Sequence, residues 1–237
     1  MFDSDELLTG EIADTLMELP YGFTLRNQRV FLYPVTLGKS FLISRVTHLL
    51  QINNELLKAD PFVEALRLCH QDKENVCLLI AYHTFEKKSD LVDISKVRRR
   101  AKLIGKNADM EDLAQLLTIV TKEDVIPKFT KHLGIDEETK EYRKALKAKD
   151  DNNTLSFGGR SIYGTLIDYF CERYGWTFEY IMWGISYNNL QMLIADSTKT
   201  IYLTKEEQKK AGIINKSKVI SADDPNNIET IKTLFRG

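Results

Sequence analysis

Cysteine is scarce in this 237-residue chain: Cys69, Cys77 and Cys171 are the whole set, an odd number with no CxxC pair among them. A disulfide framework is therefore not expected, and the composition points to a reducing compartment. An excess of either charge is missing too. The 33 lysines and arginines nearly cancel the 34 aspartates and glutamates, so no global field draws the chain towards nucleic acid or anionic lipid. Long apolar runs are absent. Stretches such as VCLLIAY, residues 76–82, are too short to span a bilayer, and the opening MFDSDELLTGEIAD is acidic where a signal peptide is basic. A cytoplasmic protein with no membrane segment is the expectation.

Motifs that carry chemistry are lacking as well. His48, His70, His83 and His132 lie far apart and form no HxxxH or HExxH arrangement, so no metal site is expected. Neither GxxxxGK[ST] nor GxGxxG occurs, and Gly158-Gly159-Arg160-Ser161 reads as a flexible, capped helix entry rather than a phosphate cradle. Asp90 and Asp93, like Glu137 and Glu138, read as solvated helix faces, and no nucleophile and base pair up. Cys69 and Cys77 fall on apolar faces, where cysteine behaves as a small hydrophobe. No enzyme activity and no cofactor are expected.

What is present is a globular composition, 43% hydrophobic and 28% charged, with mostly helical periodicity. Leu8, Ile12, Leu16 and Leu19 predict a first helix that ends at Pro20-Tyr21-Gly22. Phe23, Leu25, Val30 and Leu32, flanking Arg26-Asn27-Gln28, predict a β-hairpin near 23–34 closed by Pro34. A helix is expected over Leu37–Leu57, another from Asp60-Pro61, and a third over Val76–Phe85. Ser89 is expected to cap the next helix, a capping box is expected at Thr121–Asp124, and Gly134 is expected to end a helix. Residues 136–150 are polar nearly all round, as in a solvent-exposed connector. The turn formers of DDNNTLSFGG, residues 150–159, then mark a boundary. The predicted fold is mainly α: a helical domain with a small hairpin over 1–150, and a C-terminal helical hairpin domain with a polar tail over 151–237.

Two surface features remain. Lys96, Arg98, Arg99, Arg100 and Lys102 concentrate positive charge around an apolar stripe of Ile94, Val97, Ala101 and Ile104, which makes them candidate nucleic-acid contacts. They carry the alternative reading, a DNA-associated regulatory protein. Aromatic side chains crowd Tyr174–Tyr187 more densely than one helix can bury, and Tyr and Trp are common interface residues. A single helix over this region places Tyr180, Trp183 and Tyr187 on one face. Tyr174, Trp176, Tyr180, Trp183, Tyr187, Asn188 and Gln191 are therefore the expected partner-binding residues.

Two segments resemble phage and prophage tail assembly chaperones. One is FTLRNQRVFLYPVTLGKSFLISRVTHLL and onward, residues 23–57, a strand, turn, strand and amphipathic helix. The other is YGWTFEYIMWGISYNNLQMLIAD, residues 174–196, a Tyr-Gly-Trp start with a long helix after it. Together they cover about a quarter of the chain. The resemblance implies a non-catalytic, homo-oligomeric protein that holds tail-tube or tape-measure subunits in solution before the tail polymerises.

Overall fold

The computed structural model describes residues 4–25, 28–121, 126–149 and 161–212. The described residues form a mainly helical fold with one two-stranded sheet, as the hydrophobic periodicity predicts. Helix α1 (Ser4–Leu16) leads to strands β1 (Tyr21–Leu25) and β2 (Gln28–Leu32). These pair antiparallel, with Tyr21 opposite Leu32 and Phe23 opposite Val30. Alternation sends Leu25, Val30 and Leu32 into the core. The first helix forms where expected, yet Leu16 and Leu19 stay exposed. Arg26 and Asn27 of the expected turn lie outside the described residues.

The expected helix over Leu37–Leu57 is two helices, α2 (Leu37–Thr47) and α3 (Asn54–Ala59). Gln51 turns the chain with φ of 46°, and the Asn53 side chain accepts hydrogen bonds from the N–H groups of Glu55 and Leu56. A polar cap inside the apolar pattern restarts the helix there. Helix α4 (Pro61–Gln71) opens as Asp60-Pro61 predicts, with the Asp60 carboxylate accepting from Phe62 and Val63 N–H. Helix α5 (Lys73–His83) is buried along Val76, Cys77 and Leu79 to His83. Helix α6 (Lys88–Val92) starts without a side-chain cap, and Ser89 lies inside it. Asp93 instead caps α7 (Ile94–Asn107), at 3.0 Å from Ser95 N and 3.1 Å from Lys96 N. An aspartate immediately before a helix competes better than a serine four residues earlier, since its charge also suits the positive end of the helix.

Helix α8 (Met110–Val120) packs on α4 and α5, and α7 packs on α5. Helix α9 (Ile126–His132) ends at Gly134, whose φ of 71° suits a residue without Cβ. Residues 122–125, and with them most of the expected capping box, lie outside the described residues. Helices α10 (Ile135–Ala148), α11 (Ile162–Tyr174), α12 (Phe178–Trp183), α13 (Tyr187–Ala195) and α14 (Lys205–Ala211) follow.

The chain forms two compact units, Met1–Ile135 with Ser156–Ser197, and Asp136–Leu155 with Thr198–Gly237. This division differs from the expected one at 150/151. Helices α11 to α13 complete the first unit because Leu37 of α2 shares a buried cluster with Phe170, Ile181 and Leu190. The backbone joins them as well, since Tyr187 N donates to Val35 O at 2.7 Å. The expected linker, 150–159, lies outside the described residues. In the second unit, α10 is less exposed than its polarity suggests: Ala145 and Ala148 are buried, and Lys199 lies over the Tyr142 ring.

One buried charge joins α3 and α4. Glu64 is fully enclosed, and its Oε1 accepts from Asn53 N and from Arg67 Nη2, each at 2.7 Å, while Oε2 accepts from Arg67 Nε at 2.7 Å. The Arg67 hydrogen bond holds the Glu64 carboxyl below its ordinary pKa, against the opposing effect of burial. Glu64→Gln keeps the shape but loses the charge that these donors face. It should destabilise by roughly 2 kcal/mol, the worth of a charged buried hydrogen bond. Urea titration checks this, and an unchanged midpoint would rule the pair out as a support.

Candidate partner-binding surface

The aromatic segment is rooted in the core of the first unit. Helix α11 stops at Gly175, and Thr177 starts α12 by accepting from Tyr180 N at 3.2 Å. Phe170 is fully buried, and Trp176 stacks on it at 5.6 Å with planes 8° apart. Tyr174 stacks on Phe170 at 5.7 Å and on Trp176 at 4.9 Å, and Tyr180 meets Trp176 edge-on at 5.2 Å. The outer rings remain open to solvent, with Tyr174 38%, Tyr180 43% and Phe178 58% exposed. Arg173 lies 5.8 Å from the Tyr174 ring centre. The result is a ledge of rings held in place by a buried phenylalanine, so little side-chain freedom is lost when a partner covers it.

The single face expected for Tyr180, Trp183 and Tyr187 does not form. The helix breaks at Gly184, and Ser186 opens α13 by accepting from Asn189 N. A Cβ at position 184 would come within 2.4 Å of the Tyr180 ring, so the break is built around a residue with no side chain. Beyond it the expected partner residues diverge. Tyr174, Trp176 and Tyr180 belong to the ledge. Trp183 is a packing residue, pressed against Gly38 of α2 with the Lys88 ammonium 5.5 Å from its ring centre. Tyr187, Asn188 and Gln191 line a separate cleft.

That cleft, about 560 Å³ in volume, is bounded by α1, the exit of β2, the end of α5 and the start of α13. Glu11, Asp14, Glu18, Tyr21, Tyr33, His83 and Lys128 also line it. Glu18, with φ of 55°, directs Oε1 to Ser186 N at 2.7 Å and Asn189 Nδ2 at 2.9 Å. A carboxylate here matches the positive end of α13. His83 is only 5% exposed, and its Nδ1 lies 2.9 Å from Leu79 O. A carbonyl oxygen can only accept, so Nδ1 carries the proton and Nε2 keeps its lone pair. Burial, aided by the Lys39 charge, pushes the His83 pKa down to about 4.

Lys39 lies behind this wall. Its side chain is buried, and Nζ donates to Tyr33 O at 3.0 Å, Pro34 O at 3.2 Å and His83 O at 3.4 Å. Burial pushes its pKa down to about 7, with Glu86 opposing. The ammonium thus joins the end of α5 to the chain leaving β2. Neither Lys39, Glu18 nor His83 was singled out by motif. The signal was there, since Lys39 shares a helical face with Leu42 and Val46, where a charge is out of place.

On α7 the apolar stripe is buried at Val97, Ala101 and Ile104. Lys96 pairs with Asp90, and Arg100 covers the Phe85 ring at 5.4 Å. Arg98, Arg99 and Lys102 face solvent. Ser161 caps α11 through Gly164 N, while Gly158, Gly159 and Arg160 lie outside the described residues. Cys69 and Cys77 are buried free thiols, their pKa values raised by desolvation. Among the described residues no cluster of three His, Cys, Asp or Glu side chains can hold a metal ion, and no helix is long and apolar enough to cross a membrane. No protein-family model, curated protein or solved structure matches the chain.

Proposed function

We propose that this is a non-catalytic protein-binding protein that holds an apolar partner surface on the ledge of Tyr174, Phe178 and Tyr180. The observation that carries the reading is the combination of exposure with rigidity: the exposed rings of Tyr174 and Tyr180 are tied through ring contacts with Trp176 to buried Phe170, and the exposed Phe178 lies between them in the chain. Arg173 beside Tyr174 adds a rim charge, as at many reversible interfaces. The resemblance of residues 23–57 and 174–196 to tail assembly chaperones makes the specific form of the proposal a homo-oligomeric holdase for tail-tube or tape-measure subunits. Such a holdase needs tolerable apolar exposure and releasable contacts.

The test is co-expression with tail-tube and tape-measure proteins, followed by size exclusion with light scattering. A discrete complex is expected. In the double variant Phe178→Ser/Tyr180→Ala, affinity should fall by at least tenfold, because a hot-spot aromatic at the centre of an interface contributes about 2 kcal/mol or more. Its thermal stability should fall only modestly, by about 1 kcal/mol for the edge-on contact of Tyr180 with Trp176, since the Phe178 ring faces solvent. A variant that binds as tightly as the wild type would remove the ledge from the interface. Failure to bind either tail protein would remove the specific form.

A further inference from the structure

We propose that the flank of α7 carrying Arg98, Lys102 and Lys106 is a docking surface for the phosphate backbone of a DNA duplex. Helix α7 holds six cations and no acidic residue. The fold divides them. Lys96 is paired with Asp90, and Arg100 lies over the Phe85 ring. Arg98, Lys102 and Lys106 recur every fourth residue on the other side of the buried stripe, and all three are exposed. Two cations from neighbouring helices join that flank. Lys73 of α5 lies beside Gly105, where a Cβ would come within 3.9 Å of its side chain. Arg45 of α2 and Arg98 both reach Tyr82: burial pushes the Tyr82 pKa up, and these two charges oppose the rise. Among the described residues, none of these five side chains pairs with a carboxylate. Asp72 and Asp109, close to Lys73 and Lys106 in the chain, turn their carboxylates to the N–H groups of Asn75 and Asp112.

Like charges four residues apart destabilise a helix, and a row of phosphates relieves that repulsion. Four residues of helix rise about 6 Å, so the ladder from Arg98 to Lys106 is about 12 Å long, the span over which one DNA strand carries three or four phosphates. A protein partner would instead need an apolar centre. Between residues 98 and 106 the one large hydrophobic side chain left exposed is Leu103, turned about 100° round the helix from Lys102. Duplex DNA suits the ladder better than duplex RNA does. The B-form major groove, about 12 Å wide, brings its phosphates alongside a helix, whereas the A-form major groove is too narrow to admit one. The chain's net charge of −1 adds no long-range attraction, so the contact is local and sensitive to salt.

The inference does not depend on the aromatic ledge. Fluorescence anisotropy of a labelled DNA duplex of mixed sequence, titrated with the full chain at about 50 mM salt, tests it. Saturable binding is expected, with Kd of about 100 μM or tighter. Three to five phosphate contacts predict that log K falls with log salt at a slope between about −3 and −4.5. Arg98→Glu/Lys102→Glu should weaken binding at least tenfold, with circular dichroism confirming that the helices remain. Lys102→Gln/Lys106→Gln should flatten the salt slope by about 2. Lys96→Gln, on the other flank, should change affinity less than about twofold, since its ammonium is already paired. A flat titration overturns the proposal. So does duplex binding that the Arg98→Glu/Lys102→Glu variant retains in full. Tighter binding to an RNA duplex, to polyglutamate or to phosphatidylserine vesicles than to DNA would give the ladder a different occupant and overturn it as well.

Discussion

Gly38→Ala should destabilise the protein by roughly 3 kcal/mol, although alanine ordinarily favours a helix over glycine by up to about 1 kcal/mol. The reversal follows from contact. Position 38 lies in α2, and a Cβ there would sit 2.7 Å from three atoms of the Trp183 ring. The ring has little room to retreat, since it is partly buried against the core and the Lys88 side chain, itself paired with Glu179, lies over it. One methyl group must then separate α2 from α12. Guanidinium unfolding followed by tryptophan fluorescence measures the loss. Trp183→Phe in the same background should recover part of it, because the smaller ring vacates the contested space. A Gly38→Ala protein as stable as the parent would mean that Trp183 packs elsewhere.

Acidification from pH 6.5 to pH 4 should remove about 3 kcal/mol of stability through His83 alone. The imidazole takes its proton near 6.5 in the unfolded chain but only near 4 when folded. Across that window the unfolded state binds the extra proton, so stability falls as pH falls, by about 1.4 kcal/mol per unit, and the effect is complete below 4. Lys39 extends the trend upward. Its folded pKa near 7 lies below the ordinary 10.5, so the destabilisation from burying its charge is fully present below 7. Stability rises as pH climbs from 7 towards 10.5. Glu64 adds loss at the acid end, since its lowered carboxyl pKa makes protonation destabilising. Urea midpoints at pH 4, 6.5 and 9 in the parent and in His83→Asn check the assignment. The variant should lose the slope between 4 and 6.5, and an unaltered slope would assign that limb to other groups.

Much of the fold could be read from residue patterns, and the misses have specific physical causes. Local chemistry sufficed for the hairpin, for the Asp60-Pro61 start of α4 and for Gly134 as a helix end. Each of these is decided by hydrogen bonds or dihedral freedom within a few residues. Patterns failed where two local signals compete, as at Asn53, which splits one amphipathic run into α2 and α3. They also failed at Gly184, where the apolar spacing of Tyr180, Trp183 and Tyr187 suits a continuous helix but the backbone turns. The division of the chain was hidden for another reason. Composition changes at residue 150, whereas the packing partner of Phe170 and Ile181 is Leu37, far back in the chain. The partner-binding residues suffered from both problems, so the aromatic density was legible while its separation into ledge, packing residue and cleft was not. His83 and Lys39 carry no motif, and their environment arises from tertiary burial.

The contacts around Ser186 also constrain the order in which the molecule can be made. Its backbone N–H is held by Glu18, 168 residues earlier, and Thr36 bridges to it in an antiparallel pair. At roughly 5–20 residues per second, a translating ribosome needs about 10–30 s to deliver the second partner after the first. During that interval Leu37 lacks its buried neighbours Phe170, Ile181 and Leu190, and Gly38 lacks the Trp183 ring that covers it. The first unit is therefore completed last at its own beginning, and a nascent chain stalled before α11 presents an unfinished apolar seam to its neighbours.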